Sequence, residues 1–384
     1  MSVSYWSRSL ASDVLARVDV CVVGAGVAGL AAADAAAELG RTAAIVERGT
    51  AGVGASSRNA GYLMRGAADS YAAAVDQLGR DAARELWQRT EDNLRLLCDR
   101  FGAHDLPSFR RVPSVLVATS EAEAALLTRS AALLNEDGFD ARLVTSGSDS
   151  LWATLRPAVA LENPNDASIN PAELIARMAS HVRVRTPIFE GAEVFGFEPG
   201  GESSADPGGE RRVRVMTRRG VVDAQRVVVC TNAWGGDLLP GLAGRVTPNR
   251  GQMLAIDAPG VSLDASYYLN CGGEYIRMAH DGRVVVGGLR KRFEAEERTT
   301  SAEPTEPMQA ALEELAERTL GVRGRVVARW AGTMGFTHSG LPIVESVPVE
   351  GLESGWVWFC GGFTGHGMSL GVATASEAVR RMLG

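Results

Sequence analysis

Cysteine is scarce in this chain, and none of it is paired by spacing. The five cysteines, Cys21, Cys98, Cys230, Cys271 and Cys360, include no CxxC, and Cys21, Cys230 and Cys360 lie inside apolar, strand-like runs. This is the pattern of buried thiols in a reducing compartment, and it excludes a disulfide framework. The five histidines (His104, His181, His280, His338 and His366) show no metal-ligand spacing, so no metal site is predicted. The opening residues, MSVSYWSRSLASDVLAR, lack the apolar stretch of a signal peptide, and no uninterrupted apolar run is long enough to cross a bilayer. A cytoplasmic location with no membrane partner is expected. A formal net charge of -7 leaves no excess of positive charge and gives no reason to expect nucleic acid as a partner. The local basic cluster of Arg211, Arg212, Arg214, Arg218 and Arg219 falls on a predicted hairpin and reads as a solvated strand face. Repeats and low-complexity blocks are absent as well.

What is present is concentrated near the start. The stretch 18–47 reads VDVCVVGAGVAGLAAADAAAELGRTAAIVE. The apolar run 20–23 predicts a buried parallel strand, residues 31–39 are strong helix formers, and a second apolar run at 43–46 ends in Glu47. Between them Gly24, Gly26 and Gly29 have GxGxxG spacing. The first glycine permits the strand-to-helix turn, the second lets backbone approach a pyrophosphate, and the third lets the helix pack closely on the strand. The helix N-terminus then faces the phosphates. Glu47 stands 23 residues after Gly24, where an acid would bind a ribose hydroxyl. Strand, turn, helix, strand and terminal acid in that order predict a dinucleotide site of the Rossmann type.

At 384 residues the chain is long enough for a large core and two domains. Helices are predicted at 80–101, 121–134, 171–179, 307–319 and 369–383. Strands are predicted at 115–118, 191–197, 211–217, 226–230, 275–278, 284–288, 326–330 and 356–360, with an exposed polar turn at 199–210. A strand followed by a glycine turn recurs at the end, WVWFCGGFTGHGMS at 356–369. The expected fold is α/β: a Rossmann-type cofactor domain assembled from the separated segments 1–75, 165–250 and 326–384. A substrate domain with an antiparallel β-sheet comes from 76–164 and 251–325.

Beyond the fingerprint, the motifs are GASSRNAGYL at 54–63, INPAELIARMA at 169–179, VVVCTNAW at 227–234, RGQML at 250–254, VVVGGLR at 284–290, RWAGTMGFTHSGLPIVES at 329–346 and CGGFTGHGMSLG at 360–371. With these, nearly the whole chain resembles the D-amino acid oxidase superfamily of FAD-dependent amine oxidoreductases, the glycine oxidase and sarcosine oxidase-like proteins. SYW at 4–6, the SRNAG loop and the GTMGFT/TGHG pair resemble the gamma-glutamylputrescine oxidase-like branch. The resemblance implies FAD as cofactor. Gly24, Gly26, Val27, Ala28 and Gly29 would lie at the pyrophosphate and Glu47 at the adenosine ribose. Arg48, Ser56, Ser57, Arg58, Asn59 and Gly61 would run beneath the phosphates and the isoalloxazine ring, and Val194 would meet adenine through its backbone. Thr231 to Trp234 and Gly332 would return the chain to the cofactor. Gly362, Gly365, His366, Gly367, Met368 and Ser369 would meet the flavin pyrimidine, where a helix N-terminus stabilises negative charge.

Three positions depart from better-known members of that family. Met334 stands where glycine oxidase-like sequences carry an Arg for the substrate carboxylate, and a thioether cannot pair with a carboxylate. A simple α-amino acid is therefore a poorer substrate unless Arg58, Arg277 or Arg290 takes over. Ser339 replaces the Asp of the DGxP turn. Val285 stands where sarcosine oxidase-like enzymes place a Lys for oxygen reduction, with Lys291 six residues on. No Cys or His falls at 54–63 or 329–337 in a position for covalent attachment, so FAD is expected to be non-covalent. No catalytic residue is assigned firmly. The candidates are His366, Tyr268, Met334 and Phe336, with Tyr267 as a further wall. The expected reaction oxidises the C–N bond of a small primary or secondary amine by hydride transfer to flavin N5. The imine product hydrolyses, and O2 is the expected acceptor. Two alternatives remain: a dehydrogenase with another acceptor, and a non-catalytic FAD-binding subunit.

Overall fold

A computed structural model describes residues 13–67, 70–200 and 212–384. The SYW at 4–6, Arg211 and nearly all of the 199–210 turn lie outside the described residues. The chain divides into two compact units: Met1–Ser57, Ile175–Pro248 and Met334–Gly384 form the first, and Arg58–Leu174 with Asn249–Thr333 form the second. Segments 58–75, 165–174 and 326–333, which the sequence groups with the cofactor domain, are compact with the second unit.

The first unit is built on an eight-stranded sheet. Strand Val14–Val23 lies at its centre, parallel to Gly220–Val229 on one side and to Ala43–Val46 on the other, with Val23 opposite both Val229 and Val46. Ile188–Phe189 extends the sheet beyond Ala43–Val46. The far edge of Gly220–Val229 is shared. Its first half closes an antiparallel hairpin with Val213–Thr217, and its last residues run parallel to Val357–Gly361. These strands read as continuous valine runs because both faces of a parallel sheet are covered. Val20, Cys21, Val22, Val227, Val228 and Val229 are fully buried. Helix Val27–Glu38 buries Val27 through Ala36 without interruption, which only a helix of small residues can do between a sheet and a neighbouring helix. That neighbour is the C-terminal helix Gly367–Leu383. A side chain added at Gly371 would sit 3.0 Å from the Val27 side chain.

The second unit carries another eight-stranded sheet, in the order Arg325–Phe336, Thr247–Asp257, Val284–Gly288, Glu274–Met278, Ser266–Leu269, Ser114–Val117, Ala160–Asn163 and Arg142–Val144. Most of its pairings are antiparallel, and Ser266–Leu269 meets Ser114–Val117 in parallel. One face packs a core of Leu254, Ile256, Tyr267, Leu269, Ile276, Val284 and Val286 with helix Glu306–Glu314. Because side chains alternate along a strand, Tyr268, Tyr275, Arg277, Val285 and Gly287 fall on the opposite face. No helix among the described residues is long and apolar enough to cross a membrane.

Candidate functional site

The first strand of the first unit ends at Gly24, whose φ of +102° is open to glycine and strained for other residues. A Cβ at Gly29 would lie 1.8 Å from the Gly24 carbonyl oxygen, so helix and turn touch backbone to backbone. Gly26 caps helix Val27–Glu38 without a side-chain bond, and no acidic residue stands in the first turn. Ser56 reaches back to this turn, its Oγ accepting the Val27 N–H at 3.0 Å. Glu47 closes the cradle. One carboxylate oxygen accepts the Ala25 N–H at 2.8 Å and the other the Gly49 N–H at 2.8 Å. Each oxygen keeps a further lone pair, which suits ribose hydroxyls. The Glu47 carbonyl accepts the Ala192 N–H at 2.8 Å, which brings the strand that begins at Val194 alongside.

Two further predicted residues meet although they are far apart in sequence. The Arg48 guanidinium stacks on the Trp234 ring, 4.2 Å from its centroid. Beside them the Thr231 hydroxyl is buried with no hydrogen-bond partner among the described residues. Buried polar atoms are nearly always satisfied, so an orphan hydroxyl in this turn fits a ligand atom the chain itself does not supply. The helix N-terminus with no acidic residue in its first turn, the acid with spare lone pairs and the orphan hydroxyl together form a donor and acceptor set that fits FAD.

The terminal glycine turn belongs to the same unit. Strand Val357–Gly361 leads into Gly362 (φ +74°), Thr364 (φ +49°) and Gly365 (φ +88°) before helix Gly367–Leu383. Asn232 pins this turn, its Oδ1 accepting the Gly362 N–H at 2.9 Å. The sequence did not single Asn232 out. Its signal is its own left-handed φ of +49°, which Asn tolerates better than most residues. Thr364 N–H donates to the Gly335 carbonyl at 2.9 Å, and a Cβ at Gly365 would lie 3.8 Å from the Met334 sulfur and 3.9 Å from the Phe336 ring. Met334, Phe336 and the Gly365–His366 turn are thus brought together. His366 is the N-cap of the final helix, and its Nδ1 lies 3.1 Å from the Thr364 carbonyl oxygen, which favours the Nδ1–H tautomer. Met368 and Ser369 are buried in the first turn. Ser339 holds the turn where the resemblance implies Asp, its Oγ accepting the Leu341 N–H at 3.3 Å.

The predicted 56–61 loop is divided between the units: Ser56 and Ser57 belong to the first, Arg58, Asn59 and Gly61 to the second. Gly332 is likewise in the second unit. There the Arg58 carbonyl accepts the Trp330 indole N–H at 3.0 Å, and Asn59 Oδ1 accepts the Gly61 N–H at 2.8 Å. At Gly61 (φ +75°) a side chain would collide with the Ile169 carbonyl, 2.0 Å away.

Of the residues offered as walls or anchors in the second unit, two are engaged within it. Tyr267 faces the core. Its hydroxyl donates to Asp149 and accepts the Trp152 indole N–H at 3.2 Å. Tyr268, one residue on, takes the opposite face for the same reason of alternation. Arg277 is buried, and its guanidinium donates to the carbonyls of Ala60, of Ile169 at 2.8 Å and of Met278 at 3.1 Å. Three of its five N–H groups are thereby committed to backbone carbonyls, which ties Arg277 to the strand and loop around it. On the same face Tyr62, Tyr268 and Tyr275 form a cluster with ring centroids 4.9, 5.9 and 6.1 Å apart. Burial raises the pKa of all three hydroxyls, while the Arg290 charge pulls Tyr268 and Tyr275 the other way. Val285 lies on this face too, buried and apolar.

The Rossmann-type cradle and the terminal glycine turn define a flavin-dependent oxidoreductase by fold. The family model described as FAD dependent oxidoreductase (DAO) matches residues 19–381. The chain belongs to this DAO family of FAD-dependent oxidoreductases. It is 26% identical to a glycine oxidase of Bacillus licheniformis over 377 residues, covering 96% of this chain and 94% of the relative. It is 25% identical to the gamma-glutamylputrescine oxidoreductase of Escherichia coli K12 over 374 residues, covering 91% and 80%. Its fold matches the crystal structure of glycine oxidase from Geobacillus kaustophilus with a TM-score of 0.74, at 24% identity and 95% coverage of both chains.

Proposed function

We propose that the protein oxidises the C–N bond of a small primary or secondary amine, with FAD bound non-covalently in the first unit. The observation that carries this reading is the terminal turn, where Met334, Phe336, Gly365 and His366 meet at the start of the last helix. When bound, FAD supplies a hydride acceptor at N5. The chain's residues do the rest. Gly24, Gly26, Val27, Ala28 and Gly29 would take the pyrophosphate, Glu47 the ribose, and Arg48 with Ser56 and Ser57 the flanking phosphate loop. The resemblance also assigns Arg58, Asn59, Gly61 and Gly332 to the cofactor, and Val194, Thr231 and Trp234 would hold the nucleotide end. The amide groups of Gly367 and Met368, at the positive end of the helix beside Ser369, would stabilise negative charge on the pyrimidine edge.

Met334 and Phe336 are apolar walls that exclude water from the reacting carbon. The amine must be neutral to lose hydride, because a protonated nitrogen has no lone pair to support the departing charge. No protein base is required, and His366, anchored through Nδ1, is a positioning group. With a thioether at 334, the carbon that reacts carries no α-carboxylate anchor beside it. Amines without an α-carboxylate are the preferred class. Dioxygen is the proposed acceptor, and another electron acceptor is the alternative that Val285, in place of a Lys, keeps open. Acid precipitation of the purified yellow protein is expected to release intact FAD, and aerobic turnover to yield peroxide. Flavin held in the pellet contradicts non-covalent binding. Amine-dependent bleaching without peroxide in air assigns a dehydrogenase.

A further inference from the structure

The stack of Arg48 on Trp234 has a cause on each side, and both residues belong to the first unit. The backbone around Arg48 is fixed. The Glu47 carboxylate braces Ala25 and Gly49, and the Gly49 carbonyl accepts the Gly191 N–H at 3.0 Å. The Ala51 N–H donates to Glu190 at 2.9 Å, and the Gly52 N–H to the Ala25 carbonyl at 3.0 Å. The Trp234 side is fixed as well. Its N–H donates to the Thr231 carbonyl at 3.1 Å. The chain just before, at Cys230, lies against Gly24, where an added Cβ would stand 3.0 Å from the Cys230 carbonyl oxygen. Two pinned backbones thus present an exposed guanidinium to a half-buried indole, 4.2 Å from the ring centroid.

Among the described residues Arg48 makes no hydrogen bond and no ion pair. The acids of its own loop and of the segment that pins the loop are spent on other donors. Glu47 serves Ala25 and Gly49, and Glu190 serves Ala51 and, at 2.7 Å, the Arg183 guanidinium. A guanidinium laid on an aromatic ring uses its face and keeps its five N–H donors along the edge. Stacking therefore fixes the fork without spending a donor. The glycine turn and first helical residues, 24–28, carry no cation of their own. A fixed, unspent cation on the loop of Glu47 complements them, because helix N–H groups bind a diphosphate without supplying a full positive charge.

We propose that Trp234 is a positioning residue: it holds the Arg48 guanidinium flat, so that the free edge is ready for an anionic oxygen of the cofactor's diphosphate. Trp234 acts on the cofactor through Arg48. This rests on the FAD reading above. The stack removes rotamer freedom that an arginine otherwise surrenders when it binds, so the gain appears as affinity. Plane and fork are both needed, and a lysine, with a point charge and no plane, has neither.

The test titrates the full-length apoprotein with ADP and with adenosine, which differ in the diphosphate alone, and reads binding by calorimetry. Loss of a charge-assisted contact predicts that Arg48→Gln lowers the ratio of ADP to adenosine affinity roughly tenfold to a hundredfold. A cation–π contact at a partly exposed site predicts a smaller effect. Trp234→Leu is expected to lower the ratio about two- to fivefold, and Trp234→Phe, which keeps an aromatic face, to retain most of it. In the Arg48→Gln background Trp234→Leu is expected to change the ratio no further. Added salt should weaken ADP binding more in the wild type than in Arg48→Gln. Arg48→Lys reads the same contact from the other side, even if Trp234→Leu does not fold. Its ratio should fall between those of Arg48→Gln and the wild type, and a Lys variant equal to the wild type overturns the proposal. So does a Trp234→Leu variant that melts lower with its ratio unchanged, the mark of a structural role, or one whose effect is as large without Arg48 as with it. ADP bound no better than adenosine by the wild type overturns the FAD cradle and the proposal with it. A ratio that falls with Arg48→Gln and ignores Trp234 leaves the cradle standing and removes Trp234 from the account of it.

Discussion

Glu47 is predicted to be two things at once, a brace for its own loop and a ribose ligand, and substitution separates them. Its carboxylate accepts N–H groups from Ala25 and Gly49, both at 2.8 Å. Hydrogen bonds to a charged group contribute about 1.5–3 kcal/mol each, and the half-buried position favours the low end, so Glu47→Ala is expected to cost the apoprotein about 3 kcal/mol. Loss of the ribose contact adds a separate effect, a roughly tenfold to hundredfold weaker FAD affinity by the same range. Glu47→Gln is the sharper probe. Its amide oxygen can serve one of the two N–H groups, while its NH2 faces the other donor. It should keep about half the lost stability and still bind FAD less well than wild type. The assay is thermal melting of the apoprotein, followed by fluorescence titration with FAD. An Ala variant with unchanged FAD affinity, whatever its melting temperature, would refute the assignment of Glu47 to the ribose.

Three other outcomes are expected. Gly29→Ala places a methyl 1.8 Å from the Gly24 carbonyl oxygen, so the helix must move from the strand; a protein that folds with full FAD content would contradict this contact. Tyr267→Phe deletes the hydroxyl bonded to Asp149 and Trp152 and should cost about 1–3 kcal/mol of stability by urea denaturation, whereas Tyr268→Phe, whose hydroxyl has no such partner, should melt like wild type. Burial raises the Asp166 carboxyl from 3.8 to about 7. The folded state thus holds a proton that the unfolded chain releases, and this stability is present below the unfolded pKa and is lost as pH rises through the folded one. Asp166→Asn removes the effect, so the melting temperature of Asn relative to wild type should climb between about pH 5 and pH 8, by the equivalent of about 3 kcal/mol, and a flat difference would count against a buried, protonated Asp166.

What could be read from the sequence was what is local. The turn at Gly24, the helix of small residues and the acid at 47 lie within thirty residues of one another, and each follows from backbone geometry alone. The terminal turn was legible for the same reason, with Gly362, Gly365 and Gly367 announcing the backbone and His366 the cap. Non-local contacts were not. The stack of Arg48 on Trp234 joins two motifs whose meeting depends on the sheet order. Arg277 reads as a strand arginine available to a ligand, and only the approach of Ala60 and Ile169 shows it to be occupied. The adjacent Tyr267 and Tyr268 carry no internal sign of which faces the core. Alternation requires that they differ, and the packing against Asp149 and Trp152 decides which. The grouping of 58–75 with the second unit has a similar cause: Tyr62–Leu63 pairs with Ala167–Ser168, a partner more than a hundred residues away.

The most direct test of the account is anaerobic mixing of the purified holoprotein with a panel of small primary and secondary amines, each paired with its α-carboxylated analogue, followed at the flavin absorbance bands. At least one amine is expected to bleach the flavin rapidly, and across the pairs the member without an α-carboxylate is expected to be the faster reductant. A flavin that dithionite reduces but no amine does would contradict an amine oxidoreductase. A consistent preference for the α-carboxylated members would contradict the reading of Met334.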